Sequence, residues 1–188
     1  MKKILVLLSV FLFSQYSLAG IVELSLGNSY IHSKINAVNY TEGFSTTASF
    51  SYYFMAMSAL EFSYTEGKKT QAVGSDVNAA PEIYTFLTQS FGLDLVYSFA
   101  TRESQLQPFV KMGMAKRYKE TFYKPASGLP KTSYAKTNGE VPSMGLGFRL
   151  KLSQAFSLKV SADAWGSNPD EKFSDWDLAA RIGLSWYL

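Results

Sequence analysis

The sequence predicts an all-β protein, an eight-stranded antiparallel up-and-down transmembrane β-barrel. Three observations favour this fold. Apolar and small polar residues alternate in eight successive segments, which is the pattern of a strand with two unlike faces. Aromatic residues make up 15% of the chain, although the mean hydropathy is only −0.02. The final residues, 178–188, form the last of these eight segments instead of a polar tail that would fray.

Residues 1–19 are predicted to be a secretory signal peptide and residues 20–188 the outer-membrane barrel domain. Lys2 and Lys3 precede an apolar run too short to span a bilayer, and Ala19 occupies a position typical of signal cleavage. The chain has no cysteine, so in an exported protein neither disulfides nor a lipid-modified cysteine are expected. The formal net charge of +3 gives little indication of an anionic partner.

The first four segments set large apolar residues against Gly, Ser, Thr and a few acids. In chain order, their apolar positions are Val22, Leu24, Leu26 and Tyr30; Phe44, Ala48, Phe50, Tyr52 and Phe54; Leu60, Phe62 and Tyr64; and Leu87, Phe91, Leu93, Leu95 and Tyr97. Tyr84 and Phe86 are out of phase with the rest of the fourth segment. We therefore expect a β-bulge or a register change near them.

The last four segments continue the pattern, with Lys and Arg among the residues of the polar face. Their apolar positions are Val110, Met112 and Met114; Met144, Leu146, Phe148, Leu150 and Leu152; Phe156, Leu158, Val160, Ala162 and Ala164; and Leu178, Ala180, Ile182, Leu184, Trp186 and Leu188. Short connectors near 55–58, 99–105 and 153–155 alternate with long polar ones near 32–42, 67–81, 119–139 and 166–174. This alternation is typical of a meander with a turn end and a loop end.

The size of the two residue sets decides which face is inside. A soluble lipocalin-like barrel would place its apolar residues in the cavity. An eight-stranded barrel, however, has an interior just wide enough for side chains to fill it, which suits small residues better than rows of Phe and Leu. The large set is therefore expected to face lipid, which with the signal peptide predicts the outer membrane of a Gram-negative bacterium.

The terminal segment, LAARIGLSWYL, is predicted to be the closing strand that pairs with the first. Its residues Leu184, Trp186 and Leu188 resemble the C-terminal assembly signal of outer-membrane barrels, although most such signals end in Phe. The mature chain as a whole resembles the small eight-stranded outer-membrane barrels of the OmpX and OmpA-barrel type. The resemblance implies periplasmic N- and C-termini and recognition by the barrel-insertion machinery during assembly.

The polar face carries acids and bases that would meet across a narrow lumen. Toward the short turns these residues are Glu23, Glu61, Asp94, Lys111, Arg149, Lys151 and Lys159, and toward the loops they are Arg117, Asp163, Asp177 and Arg181. Because buried charges persist only when they are matched, we expect a locked ion-pair network and a plugged lumen. Lys116, in phase with Met112 and Met114, is instead expected at the outer rim, in contact with lipopolysaccharide phosphate.

The function that these features favour is a non-enzymatic barrel that supports the outer membrane and presents surface loops for adhesion or defence, to an unknown ligand. Passage of small solutes through the lumen is an alternative. A lipid A-modifying enzyme is another, with His32 acting beside Ser75 and Asp76, or beside Ser33 and Glu42. One histidine and no cysteine predict neither a metal nor a cofactor site. The Lys- and Tyr-rich third loop is interpreted as a solvated surface loop rather than a nucleic-acid site.

Overall fold

The computed structural model describes residues 20–36, 38–74, 80–127, 130, 132–166 and 176–188. The predicted signal peptide, and Ser75 and Asp76 of the second loop, lie outside the described residues. The strands are β1 (Ile21–Lys34), β2 (Tyr40–Met55), β3 (Ser58–Val73), β4 (Glu82–Ser98), β5 (Leu106–Lys124), β6 (Thr132–Lys151), β7 (Phe156–Trp165) and β8 (Asp177–Tyr187). In this part of the chain, no helix is long and apolar enough to cross a membrane.

Each strand pairs antiparallel with its neighbour in sequence, and β8 pairs with β1, so the sheet closes into a barrel. At the closure Leu184 lies opposite Leu26, and Trp186 lies opposite Leu24. The backbone N–H of Leu188 donates to the carbonyl oxygen of Val22 at 2.8 Å. The predicted fold is thus confirmed, with the terminal segment as the closing strand, whose pairing with β1 runs from Glu23 to Asn28.

The strands extend farther toward the loop end than the alternation indicated. β5 continues to Lys124 and β6 begins at Thr132, although residues 119–139 were expected to form a loop. β3 likewise continues to Val73. Above the lipid both faces of a strand contact water, so the hydrophobic alternation fades while the backbone ladder continues. Sequence periodicity therefore marks the lipid-facing part of each strand and not its end.

The expected bulge near Tyr84 and Phe86 is wrong. β4 pairs with β3 and β5 without a register shift; the observed shifts lie after Tyr53 in β2 and after Thr121 in β5. Phe86 keeps the phase of its strand and lines a cavity inside the loop end. An aromatic side chain can face inward there because the cavity, about 300 Å³, leaves room for it.

The two faces of the sheet differ as the residue sizes predicted. Large apolar side chains cover the outside, and Leu26, Phe91, Met112, Leu146 and Leu184 are each between 54% and 63% exposed. An apolar surface this extensive needs a nonaqueous environment. The inside holds buried small residues and charged groups. It also holds one apolar cluster that was not expected, formed at the turn end by Tyr53, Ala59, Val96 and Phe109.

Candidate functional site

Glu61 of β3 is at the centre of the charged lumen. Its carboxylate is paired with two ammonium groups, Lys159 Nζ at 2.6 Å and Lys111 Nζ at 3.1 Å. The hydroxyl of Ser51, on β2, donates a further hydrogen bond at 3.2 Å. The Glu61 side chain is only 2% exposed, so these three donors replace the water that a carboxylate would otherwise require.

A second buried pair lies toward the turn end. Arg149 Nε donates to Glu23 Oε1 at 3.0 Å, and both side chains are fully buried. Tyr53 donates its hydroxyl proton to the other Glu23 oxygen at 2.5 Å. The guanidinium carbon of Arg149 lies 4.4 Å from the centre of the Phe109 ring, a cation–π contact in a site without bulk water. Lys159 Nζ, 4.0 Å from Glu23, connects this pair to Glu61.

The network continues toward the loop end through Lys111. Its ammonium lies 2.9 Å from Asp163 Oδ1 and 3.8 Å from Asp94 Oδ2. Arg181 Nη1 in turn lies 2.8 Å from Asp163 Oδ2. Ser143 donates to Asp94 at 2.5 Å. Asp163 and Arg181, expected in a separate layer, therefore belong to the same connected set as Glu61, because the long Lys111 side chain reaches both levels.

The connected set, which we call the lumen network, is balanced in charge. Its acids are Glu23, Glu61, Asp94 and Asp163, and its bases are Lys111, Arg149, Lys159 and Arg181. They come from seven of the eight strands, and β2 contributes the hydroxyl groups of Ser51 and Tyr53. Four opposed charges of each sign across so narrow a barrel hold its walls together and fill its interior.

Two of the expected lumen residues form a separate pair and one forms none. Arg117 Nη2 lies 2.9 Å from Asp177 Oδ2 near the loop end, apart from the lumen network. Lys151 forms no ion pair with any described residue, contrary to the expectation. It is the last residue of β6 and is only half-buried, so its ammonium can be hydrated at the turn-end rim.

The lumen is closed on the turn side of the lumen network and almost filled at the level of the network itself. At the turn end, Tyr53, Val96 and Phe109 are at most 3% exposed, and the Arg102 guanidinium lies 5.0 Å from the Tyr53 ring centre. Beside the network itself, the cavity lined by Glu61, Lys111 and Arg181 measures about 20 Å³, room for about one water molecule. The sequence analysis did not predict Tyr53 as a lumen residue. It lies two residues after Ser51 in β2, however, and so shares the inward face of that residue.

No protein-family model and no curated protein matches the chain. Among solved structures, it is similar to the N-terminal β-barrel domain of Pseudomonas aeruginosa OprF, at 18% identity and a TM-score of 0.58, covering 90% of this chain and 97% of that one. Neisserial surface protein A matches at 13% identity and a TM-score of 0.55, with 90% and 96% covered. The chain has the fold of the eight-stranded outer-membrane barrels.

A third similar structure is Ail, the attachment invasion locus protein of Yersinia pestis. It is 13% identical with a TM-score of 0.51, and the match covers 89% of this chain and 97% of Ail. That structure contains the heparin analogue sucrose octasulfate. At these identities the similarity concerns the barrel fold, and the lumen network is a feature of this chain's own residues.

Lys116 lies on the outer face of this barrel. Its side chain is exposed, and its ammonium lies 5.8 Å from the centre of the Tyr118 ring. Its cross-strand neighbours are Phe91 and Glu140, and Phe91 is 54% exposed. The position is thus the upper border of the apolar exterior, where aromatic and charged side chains meet.

His32 lies near the loop end of β1, opposite Glu42 of β2. Its ring stacks with Tyr30 at 6.3 Å between centroids, and the Glu42 carboxylate accepts a hydrogen bond from the Tyr30 hydroxyl at 3.3 Å. Ser33 alternates with His32 and so points to the other face of the strand. Over the described ranges no group of three or more His, Cys, Asp or Glu residues could hold a metal ion.

Proposed function

We propose that this chain is a non-enzymatic integral protein of the outer membrane of a Gram-negative bacterium, which supports the membrane and presents surface loops for adhesion or defence. The observation that carries the proposal is the neutral lumen network. A barrel whose interior is filled by matched charges is a rigid support rather than a conduit. The fold shared with Ail, whose name denotes attachment, agrees with a role at the cell surface.

The filled lumen weighs against the alternative of solute passage. A conducting pore needs a continuous hydrated path, often with charges of one sign along it. Here the acids and bases neutralise each other, and Tyr53 and Phe109 block the turn end. The cavity of about 20 Å³ beside Glu61 leaves no room for a solute larger than water.

The geometry of the described residues also weighs against lipid A chemistry at His32. Acyl transfer needs a nucleophile and a base within hydrogen-bond reach, with a third group that orients the base. In the structure the Glu42 carboxylate is engaged by Tyr30, and the His32 ring is stacked on Tyr30. We therefore assign His32 a solvated position near the loops and no catalytic role.

The proposal includes two sets of partners. Lys116 is proposed to contact lipopolysaccharide phosphate, which is supported by its exposed position at the upper border of the apolar exterior. Leu184 and Trp186 on the outer face of β8, together with Leu188 directly after it, are proposed to be recognised by the barrel-insertion machinery during assembly. Both the N- and the C-terminus are then periplasmic, and the long loops face outward to a ligand yet to be found.

Single-cysteine labelling tests the location and orientation of the protein. Because the chain has no cysteine, only the introduced thiol can react. Ser127→Cys places a thiol at the loop end and Gln154→Cys places one in a short turn, both at exposed positions. In intact cells, a membrane-impermeant maleimide should label Ser127→Cys and should label Gln154→Cys only after the outer membrane is permeabilised. The protein should also migrate faster in electrophoresis when it is not heated.

Labelling of Gln154→Cys alone in intact cells would invert the proposed orientation. Recovery of the protein in the soluble periplasmic fraction, with no heat-dependent shift in migration, would overturn the membrane assignment itself. As a control, the same two variants are labelled after boiling in detergent, when both thiols should react equally.

A further inference from the structure

A second cavity opens inside the loop end of the barrel, above the lumen network. It measures about 300 Å³, which is within the range of small-molecule sites. Hydroxyl-bearing side chains line its lower part, namely Ser29, Ser45, Thr65 and Thr88. An adjoining cavity of about 270 Å³ shares Phe86, Arg117 and Lys119 with it. We call the two together the vestibule.

Two lysines flank an aromatic ring on the wall of the vestibule. Lys69 of β3 lies directly opposite Phe86 of β4, and Lys119 of β5 lies opposite Thr88, two residues farther along β4. The Lys119 ammonium lies 4.9 Å from the centre of the Phe86 ring. Because the ring face attracts a cation, Phe86 holds this ammonium in place without neutralising its charge.

These lysines differ from the bases of the lumen network. Neither Lys69 nor Lys119 has a carboxylate of a described residue within ion-pair distance, whereas Arg117 beside them is paired with Asp177 at 2.9 Å. Among the described residues that line the vestibule, positive charge therefore exceeds negative charge, over a floor of hydroxyl groups. An anion that accepts hydrogen bonds from ammonium groups and also has hydroxyls of its own would match both features.

We propose that the vestibule binds a small sugar that carries a phosphate or sulfate ester. The ester oxygens accept hydrogen bonds from Lys69 and Lys119, and the sugar hydroxyls bond to the Ser and Thr residues of the floor. The lumen network closes the vestibule from below, so the ligand is held there and not passed on. The site gives the loop end a ligand of defined chemical class. Binding there can be measured with purified protein, whatever role the protein has in the cell.

Isothermal titration calorimetry of the folded barrel in zwitterionic detergent tests the proposal, with glucose 6-phosphate and glucose 6-sulfate as probes and glucose as the uncharged control. At least one ester should bind saturably, and glucose should not. Lys69→Gln and Lys119→Gln should each weaken binding about tenfold, since each removes a hydrogen bond to a charged group. The matched control is Lys136→Gln, which removes the same charge from the outer face, where Lys136 pairs with Glu120 at 3.1 Å, and should leave the affinity unchanged.

Absence of saturable binding of both esters would overturn the proposal. An equal loss of affinity in Lys136→Gln and Lys119→Gln would also overturn it, since the net charge and not the vestibule would then attract the anion. Binding of inorganic phosphate as tightly as the esters would overturn the assignment of a sugar. All three variants should keep heat-modifiable migration, so that loss of binding in an intact barrel is distinct from failure of the membrane assignment.

Discussion

Replacing Glu61 with Gln removes the central negative charge of the lumen network while keeping the size of the side chain. In the native barrel that carboxylate faces Lys159 at 2.6 Å and Lys111 at 3.1 Å. After the change, Lys111 still has Asp163 at 2.9 Å. Lys159 keeps only Glu23, at 4.0 Å, and its ammonium becomes an incompletely compensated charge in a closed interior.

The size of the destabilisation depends on the burial of Glu61 and on the acidic partner that Lys111 keeps. Removing one member of a buried pair typically costs about 3–5 kcal/mol. The Glu61 side chain is 2% exposed, so solvent screens little of the loss. Because Lys111 stays paired, we expect a decrease near the lower end, about 3 kcal/mol in the free energy of unfolding. The variant Glu61→Gln/Lys159→Met, which removes the orphaned ammonium as well, should recover part of this decrease.

Urea unfolding in lipid vesicles, followed by tryptophan fluorescence, measures the change. The matched control is Glu66→Gln on the same strand, where the exposed carboxylate only accepts a 3.4 Å hydrogen bond from Tyr64; this variant should unfold within about 0.5 kcal/mol of the native barrel. A Glu61→Gln variant as stable as the Glu66→Gln variant would refute the reasoning, since the network would then contribute nothing to stability.

Three further changes have expected outcomes. Gly113→Ala should cost about 1–3 kcal/mol in unfolding experiments, because a Cβ there would collide with the Leu93 carbonyl oxygen, whereas Gly139→Ala has open space around it and should cost far less. Lys116→Gln should reduce binding of lipopolysaccharide in a co-purification assay without altering heat-modifiable migration; unchanged binding would remove Lys116 from the proposed contact. Deleting Leu188 should lower the amount of barrel assembled in cells, measured by electrophoresis of unheated envelopes, and undiminished assembly would contradict the proposed signal.

The fold could be predicted because lipid and a narrow lumen impose opposite requirements on alternate residues. Leu26 and Gly27, adjacent in β1, already show the two requirements, and the same contrast recurs in every strand. The ends of the strands could not be predicted in the same way. Near Lys124 and Thr132 both faces of the sheet are in water, so the residue types no longer alternate. The antiparallel pairing of β5 with β6 nevertheless continues there.

The charges of the lumen could be assigned to the inner face from phase alone, but their partners could not. Which acid meets Lys111 depends on strand tilt and stagger around the barrel, which the sequence does not state. Lys111 consequently reaches Asp163 as well as Glu61, and joins two layers that were expected to be separate. Lys151 shows the opposite case. It lies on the inward face of β6, but because it is the last residue of the strand its ammonium reaches the hydrated rim and no acidic partner among the described residues.

Planar-bilayer recording from the purified native protein tests the central claim, a lumen closed by matched charges, most directly. With the turn end covered by Tyr53 and Phe109 and a cavity of only about 20 Å³ beside the lumen network, we predict no steady single-channel conductance above the baseline of the protein-free bilayer. A steady, large conductance from the unmodified protein would contradict the closed lumen and favour solute passage as its function.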